Sequence, residues 1–199
     1  MRKSLFLFPV CFALCGCYVQ SLNTFFTDDL KIELSDIEGQ WVSVAQAGEA
    51  MEGEKITPWV FGEETIGTYD GKNNFSELDV TYFKIGETVY MDFTAGEPGD
   101  DFEKVCNSFW VAGITPVHSL CKVILQGDTL VMIPMSYEWF EKRIKEKTLK
   151  LHYVKAGEES LPVFTVSSKE WVAFLKQHGD DKTLFNEKYR YVFSRKIMK

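Results

Sequence analysis

The sequence predicts a mainly β fold, an antiparallel barrel or sandwich of about ten strands, with two helices in the C-terminal half. Three observations carry this expectation. Short runs of alternating polarity are separated by turn residues, the pattern of half-buried strands joined locally. Residues 121–126 and 129–133 flank Gly127-Asp128, a two-residue loop suited to a primed turn that keeps the strand twist. Two later segments, after Ser136 and after Ser167, change to the three-and-four spacing of an amphipathic helix. A sheet of this kind must hide its edges, and closing into a barrel does so most completely.

Taken in order, Trp41, Ser43 and Ala45 alternate with Val42, Val44 and Gln46, an early strand. Residues 65–69 form a second run and lead into the turn dipeptide Asp70-Gly71. Residues 80–85 face residues 88–93 across Gly86-Glu87. In the second run Val89, Met91 and Phe93 share one face, and Tyr90, Asp92 and Thr94 share the other. Ser136 can cap a helix carrying Tyr137, Phe140 and Ile144 on one stripe. Ser167 and Glu170 fit a capping box, in which each side chain satisfies a free amide of the other. Trp171, Phe174, Leu175 and His178 follow at helical spacing until Gly179 stops the helix. The chain closes with residues 188–195, a strand presenting Tyr189, Tyr191 and Phe193 on one face.

The N-terminus has a different character. Met1-Arg2-Lys3 is basic, and residues 4–14 form an 11-residue run whose only polar member is Ser4. A transmembrane helix needs about 20 apolar residues, so this order of basic, apolar and small residues is that of a secretory signal. Its end, Leu14-Cys15-Gly16-Cys17, resembles the lipobox of bacterial lipoproteins. The resemblance implies that Cys17 receives diacylglycerol, that the chain is cut before it, and that the new N-terminus is acylated too. It divides the chain into a signal peptide (1–16), a lipidated tether (17–36) and a single β-rich domain (37–199). Each buried methylene contributes about 0.8 kcal/mol, so two or three acyl chains on Cys17 hold a membrane durably. Tyr18 stands where an aspartate would retain such a lipoprotein at the inner membrane. The expected address is therefore the bacterial cell envelope, on the outer membrane facing the periplasm.

Loss of Arg2 and Lys3 with the signal takes 22 basic residues to 20 against 29 acidic ones, a mature net charge of −9. Nucleic acid demands a basic footprint, so it is not an expected partner. With Cys17 acylated, Cys106 and Cys121 are the thiols that remain, in an oxidising compartment. A bridge between them would close a loop of about 15 residues, contributing about 3 kcal/mol in the chain-entropy model. The sequence leaves both states open, a disulfide and a reduced buried pair.

Gly39-Gln40-Trp41 carries a G-x-W at the start of the first strand. This resembles the opening motif of lipocalins and lipocalin-like lipoproteins. The resemblance implies a lipocalin-like β-barrel closed at one end by Trp41, with an arginine from a late strand stacked over it. By alternation Arg195 continues the aromatic face of the last strand and is paired with Trp41; Arg190 is the second choice. Such a cation–π contact contributes about 0.5–2 kcal/mol.

Signs of catalysis are missing: the chain holds no G-x-S-x-G, no H-E-x-x-H and no phosphate-cradling glycine loop. His118, His152 and His178 fall on separate elements, and His118 and Cys121 should point to opposite faces of one strand. The acidic run 97–101 lacks the ordered alternation of a calcium loop. No enzyme, cofactor or metal is expected. Two functions remain: a lipid-anchored module that binds a small apolar ligand in the barrel, and an envelope scaffold or assembly protein that engages another protein through its surface.

Overall fold

The computed structural model describes residues 18–44, 58–69, 75–95, 116–157 and 160–196. In chain order its strands are β1 (Gln20–Ser21), β2 (Gly39–Ser43), β3 (Trp59–Phe61), β4 (Thr65–Tyr69), β5 (Phe75–Ile85), β6 (Thr88–Ala95), β7 (Ser119–Gln126), β8 (Thr129–Pro134), β9 (Tyr153–Val154), β10 (Val163–Phe164) and β11 (Tyr191–Arg195). Helix α1 spans Tyr137–Lys145 and α2 spans Ser168–His178. Strands β2 to β8 follow one another as antiparallel neighbours, and β11 pairs with both β8 and β2 to close an eight-stranded barrel. Closure decides between the barrel and the sandwich. The count differs a little from the ten expected, because β1, β10 and β9 form a separate three-stranded sheet of two-residue strands. Runs that short carry no period for a sequence reading to find.

The local chemistry explains the hairpins. Gly86 and Gly127 each take a positive φ, 59° and 56°, as the first loop residue of a two-residue turn. That conformation matches the twist of the strands and suits a residue without a Cβ. The longest pairing is β5 with β6, in register from Leu78↔Ala95 to Ile85↔Thr88.

Barrel strands normally bury one face, but part of this wall buries both. Inward-facing Trp41, Phe61, Ile66, Tyr82, Met91 and Phe193 belong to a core that fills the barrel. The outward Phe83, Tyr90, Leu120 and Ile133 belong to a second core, shared with Phe25, Phe140, Trp171 and Leu175. The helical layer therefore lies on the outside of β5–β8. Strand β11 returns from that layer to complete the barrel.

Both helices begin as their caps predict. The Ser136 side chain accepts from Trp139 N, and Ser167 with Glu170 forms the reciprocal capping box. In α1 the buried pair is Trp139 and Phe140, whereas the expected stripe had Tyr137 in place of Trp139. Trp139 turns inward because its indole donates to Asp181 at 2.9 Å while its ring packs on Phe174.

Residues 18–36 are not a tether. Val19, Ser21, Phe25 and Phe26 are buried, and β1 pairs in parallel with β10. Asn23 Nδ2 donates to Val166 O at 2.9 Å, and the Phe25 ring lies 4.5 Å from that of Trp171. The segment reads as irregular because its apolar side chains divide between the two cores, Val19, Phe25 and Phe26 in the outer one and Ile32 and Leu34 against the inner one, with no common face to impose a period. Further along, Ile32 N donates to Tyr82 O at 3.0 Å, extending the sheet beside β5 where β4 has ended.

Trp171 is fully buried at the junction of Phe25, Phe140, Phe164 and Phe174, and its indole donates to Ser21 Oγ at 2.8 Å. Trp171→Ala is expected to cost about 3–5 kcal/mol, read as a shift in the urea unfolding midpoint. A loss below about 1 kcal/mol would contradict the shared outer core.

Candidate functional site: the two ends of the barrel

An antiparallel meander places alternate connections at opposite ends. The short turns at 62–64, 86–87 and 127–128 lie at one end, together with residue 195, the close of β11. The opposite end receives the connections 44–58, 70–74 and 96–118 and the excursion 135–190.

Arg195 shuts the first end. Its guanidinium carbon lies 4.4 Å from the centre of the Trp41 ring. Nη1 donates to Glu38 O at 2.7 Å, Nη2 donates to Asp36 O, and Nε approaches Asp128 Oδ1 at 3.6 Å. Trp41 Nε1 donates to Ile37 O at 2.7 Å, so the 3-10 turn Ser35–Ile37 is fastened to the barrel floor from above and below. Gly39 is required here on two counts: its φ is +131°, and a Cβ would stand 3.1 Å from Arg195 Nη1. One cation thus ties together the 3-10 turn, β2, β11 and the β7–β8 turn.

The other end is lined differently. Tyr18, Trp59, Phe93 and Tyr191 pack against the inner core and are only partly buried. Tyr18 meets Phe93 edge to face at 5.5 Å and donates its hydroxyl to that of Tyr191 at 3.3 Å. Trp59 sits 5.3 Å from Phe193, the aromatic next inward on β11. Below this rim Phe61, Met91 and Leu130 are at most 1% exposed. The result is an aromatic mouth above a packed floor.

Two polar groups lie among these inner side chains. The Tyr82 hydroxyl is buried and has no hydrogen-bond partner, and burial pushes its pKa well above the ordinary tyrosine value. Cys121 is fully buried as a free thiol, and burial raises its pKa in the same way, which keeps it protonated and unreactive. Beside the closed end a groove of about 540 Å³ runs along Lys31, Glu33, Glu63, Glu64 and Tyr82. Its charged rim suits water better than an apolar ligand.

A buried ionic node sits on the outer face of the wall. Asp92, 3% exposed, accepts from Phe25 N at 2.8 Å and lies 2.7 Å from His118 Nδ1. The hydrogen bond to Asp92 raises the His118 pKa above 6.5; burial opposes this, and the Asp92 charge adds to it. His118 also exchanges two backbone hydrogen bonds with Ser21. The node fastens the N-terminal segment to β6 and to the start of β7. Among the described residues no hydroxyl or thiol is hydrogen-bonded to the imidazole.

Of the residues singled out from sequence, Trp41 and Arg195 are in contact. His118 and Cys121 lie on opposite faces of the wall, with Cys121 in the inner core. Cys17, Cys106 and the acidic run 97–101 lie outside the described residues. His178 packs on Trp139 and Phe174 at the end of α2. Among the described residues no three His, Cys, Asp or Glu side chains gather as a metal site. Sequence reasoning missed the mouth, whose members come from four distant segments, and the Asp92–His118 node. The one signal for the node was Tyr90 sharing a face with Asp92, an aromatic on the side opposite Val89, Met91 and Phe93. Comparison with known proteins returned no matching family model, curated protein or solved structure.

Two outcomes follow. Arg195→Ala removes a cation–π contact and charge-assisted hydrogen bonds and is expected to cost about 2 kcal/mol. Arg195→Lys should recover less than half of that in chemical denaturation, because a point charge cannot span two carbonyls. The folded pKa of His118 is raised, so its contribution is fully present below the ordinary histidine value and is lost as pH rises through the raised one. Wild type should therefore lose stability across neutral pH relative to His118→Gln. Parallel pH profiles for the two proteins would dismiss the node.

Proposed function

We propose that this chain is a lipid-anchored protein of the bacterial envelope whose barrel binds a small apolar ligand at the aromatic mouth. The observation that carries the reading is the asymmetry of the barrel. One end is sealed by Arg195 and Trp41, and the other presents partly buried Tyr18, Trp59, Phe93 and Tyr191 to whatever enters. Apolar surface left accessible gains free energy when a ligand removes it from water, about 25 cal/mol per Å². The hydroxyls of Tyr18 and Tyr191 can fix one polar group of that ligand. G-x-W and the lipobox-like Leu14-Cys15-Gly16-Cys17 support the same reading through their resemblance to lipocalin-like lipoproteins. The anchor is the acylated Cys17, and the address is the outer membrane facing the periplasm. No catalytic role is proposed.

A second reading has its own observation. Among the described residues strand β9 is an edge of the small sheet with no further strand beside it, and its Tyr153 and Val154 are 36% and 55% exposed. An exposed apolar edge can accept a strand from another protein, which suits an envelope scaffold.

A fluorescent fatty acid titrated into the soluble domain should show saturable uptake, and Trp59→Ala should weaken it at least about five-fold. Absence of saturable uptake overturns the ligand-binding reading. Separately, detergent phase partitioning should move the Cys17→Ala protein from the detergent to the aqueous phase; a Cys17→Ala protein that stays with detergent overturns the anchor.

A further inference from the structure

A lipid anchor fixes one point of a protein, and the number of free residues between anchor and fold decides which surface meets the membrane. In this chain that number is zero. Tyr18 directly follows Cys17 and is itself built into the fold. It bridges to Ser136, packs edge to face on Phe93 and donates to the hydroxyl of Tyr191. The residues after it give no slack either. Val19 is 2% exposed, and Ser21 pairs with both Phe164 and His118.

Consecutive Cα atoms lie about 3.8 Å apart across a trans peptide. The acylated residue is therefore held one peptide from the rim of the barrel mouth. A flexible tether of n residues would let the domain stand off by about 5–6 Å × √n, and here nothing supplies that distance. From this geometry, and resting on the anchor reading above, we infer that the mouth of the barrel is pressed against the bilayer surface. Its ligand then enters from the membrane and not from water, and the ligand class is a membrane lipid chain.

The chemistry of the rim agrees. Tyrosine and tryptophan are the side chains that favour the membrane–water interface, with their rings among acyl chains and their polar tips at the headgroups. Tyr18, Trp59 and Tyr191 place three such residues around the opening.

The test uses the full acylated protein in phosphatidylethanolamine-rich vesicles containing brominated acyl chains, with tryptophan fluorescence as the readout. Lipid bromines should quench a component of the emission that Trp59→Phe abolishes. A Gly-Ser spacer of about ten residues inserted between Cys17 and Tyr18 should reduce that component at least about two-fold while the protein still floats with the vesicles. A protein that carries the acyl mass and floats, yet shows no Trp59 component or one the spacer leaves unchanged, overturns the inference and leaves the anchor standing. A protein without acyl mass on Cys17 overturns both.

Discussion

Everything in this molecule depends on the return of β11. Strands β2 to β8 can form a curved sheet through local turns, but that sheet has two open edges until residues 191–195 are laid between β8 and β2. Phe193 pairs with Leu130 on one side and Ser43 on the other, so one strand supplies both missing ladders. Arg195 then fixes the closure by joining Trp41, the 3-10 turn and the β7–β8 turn. A barrel has no edge left to aggregate, and here that protection rests on five residues that reach the sheet only after a 56-residue detour through both helices.

The detour explains the second core. Helices α1 and α2 and the N-terminal segment cannot enter a barrel already filled by Trp41, Phe61, Met91 and Phe193. They pack instead on the outer face of β5–β8, where Phe83, Tyr90, Leu120 and Ile133 await them. The wall is consequently apolar on both sides, and the buried Asp92–His118 pair is the polar fastening between the layers. Gly179 shows how close the layers come, since a Cβ there would stand 2.4 Å from the Tyr90 hydroxyl.

How much of this was legible in the sequence follows from where each signal is written. Strand alternation and capping serines act within a few residues, so the hairpins, both helix starts and residues 191–195 of the last strand could be read directly, whereas Glu187–Tyr189, expected in that strand, forms a 3-10 turn. The Trp41–Arg195 contact was legible through parity and a three-residue motif, because both residues sit on regular strands. The burial of residues 18–36 was not, because their partners, from Tyr82 and Asp92 to Val163 and Val166, lie far along the chain and share no period with them. The same reason hid the mouth. Tyr18, Trp59, Phe93 and Tyr191 are ordinary aromatics until the barrel brings four distant segments to one end.

The contact between Tyr18 and Tyr191 spans 173 positions, and β1 pairs with β10 across nearly as much chain. Contacts of such sequence separation are slow to form, because loop closure must precede any reward. During synthesis the first residues of the fold meet Tyr82, Asp92 and His118 midway, but Val163, Phe164 and Tyr191 emerge late. The N-terminal segment thus completes its contacts only when β10 and β11 are in place. Tyr18 and Tyr191, far apart along the chain, become neighbours in space, and the strand that closes the barrel also supplies a member of its aromatic rim.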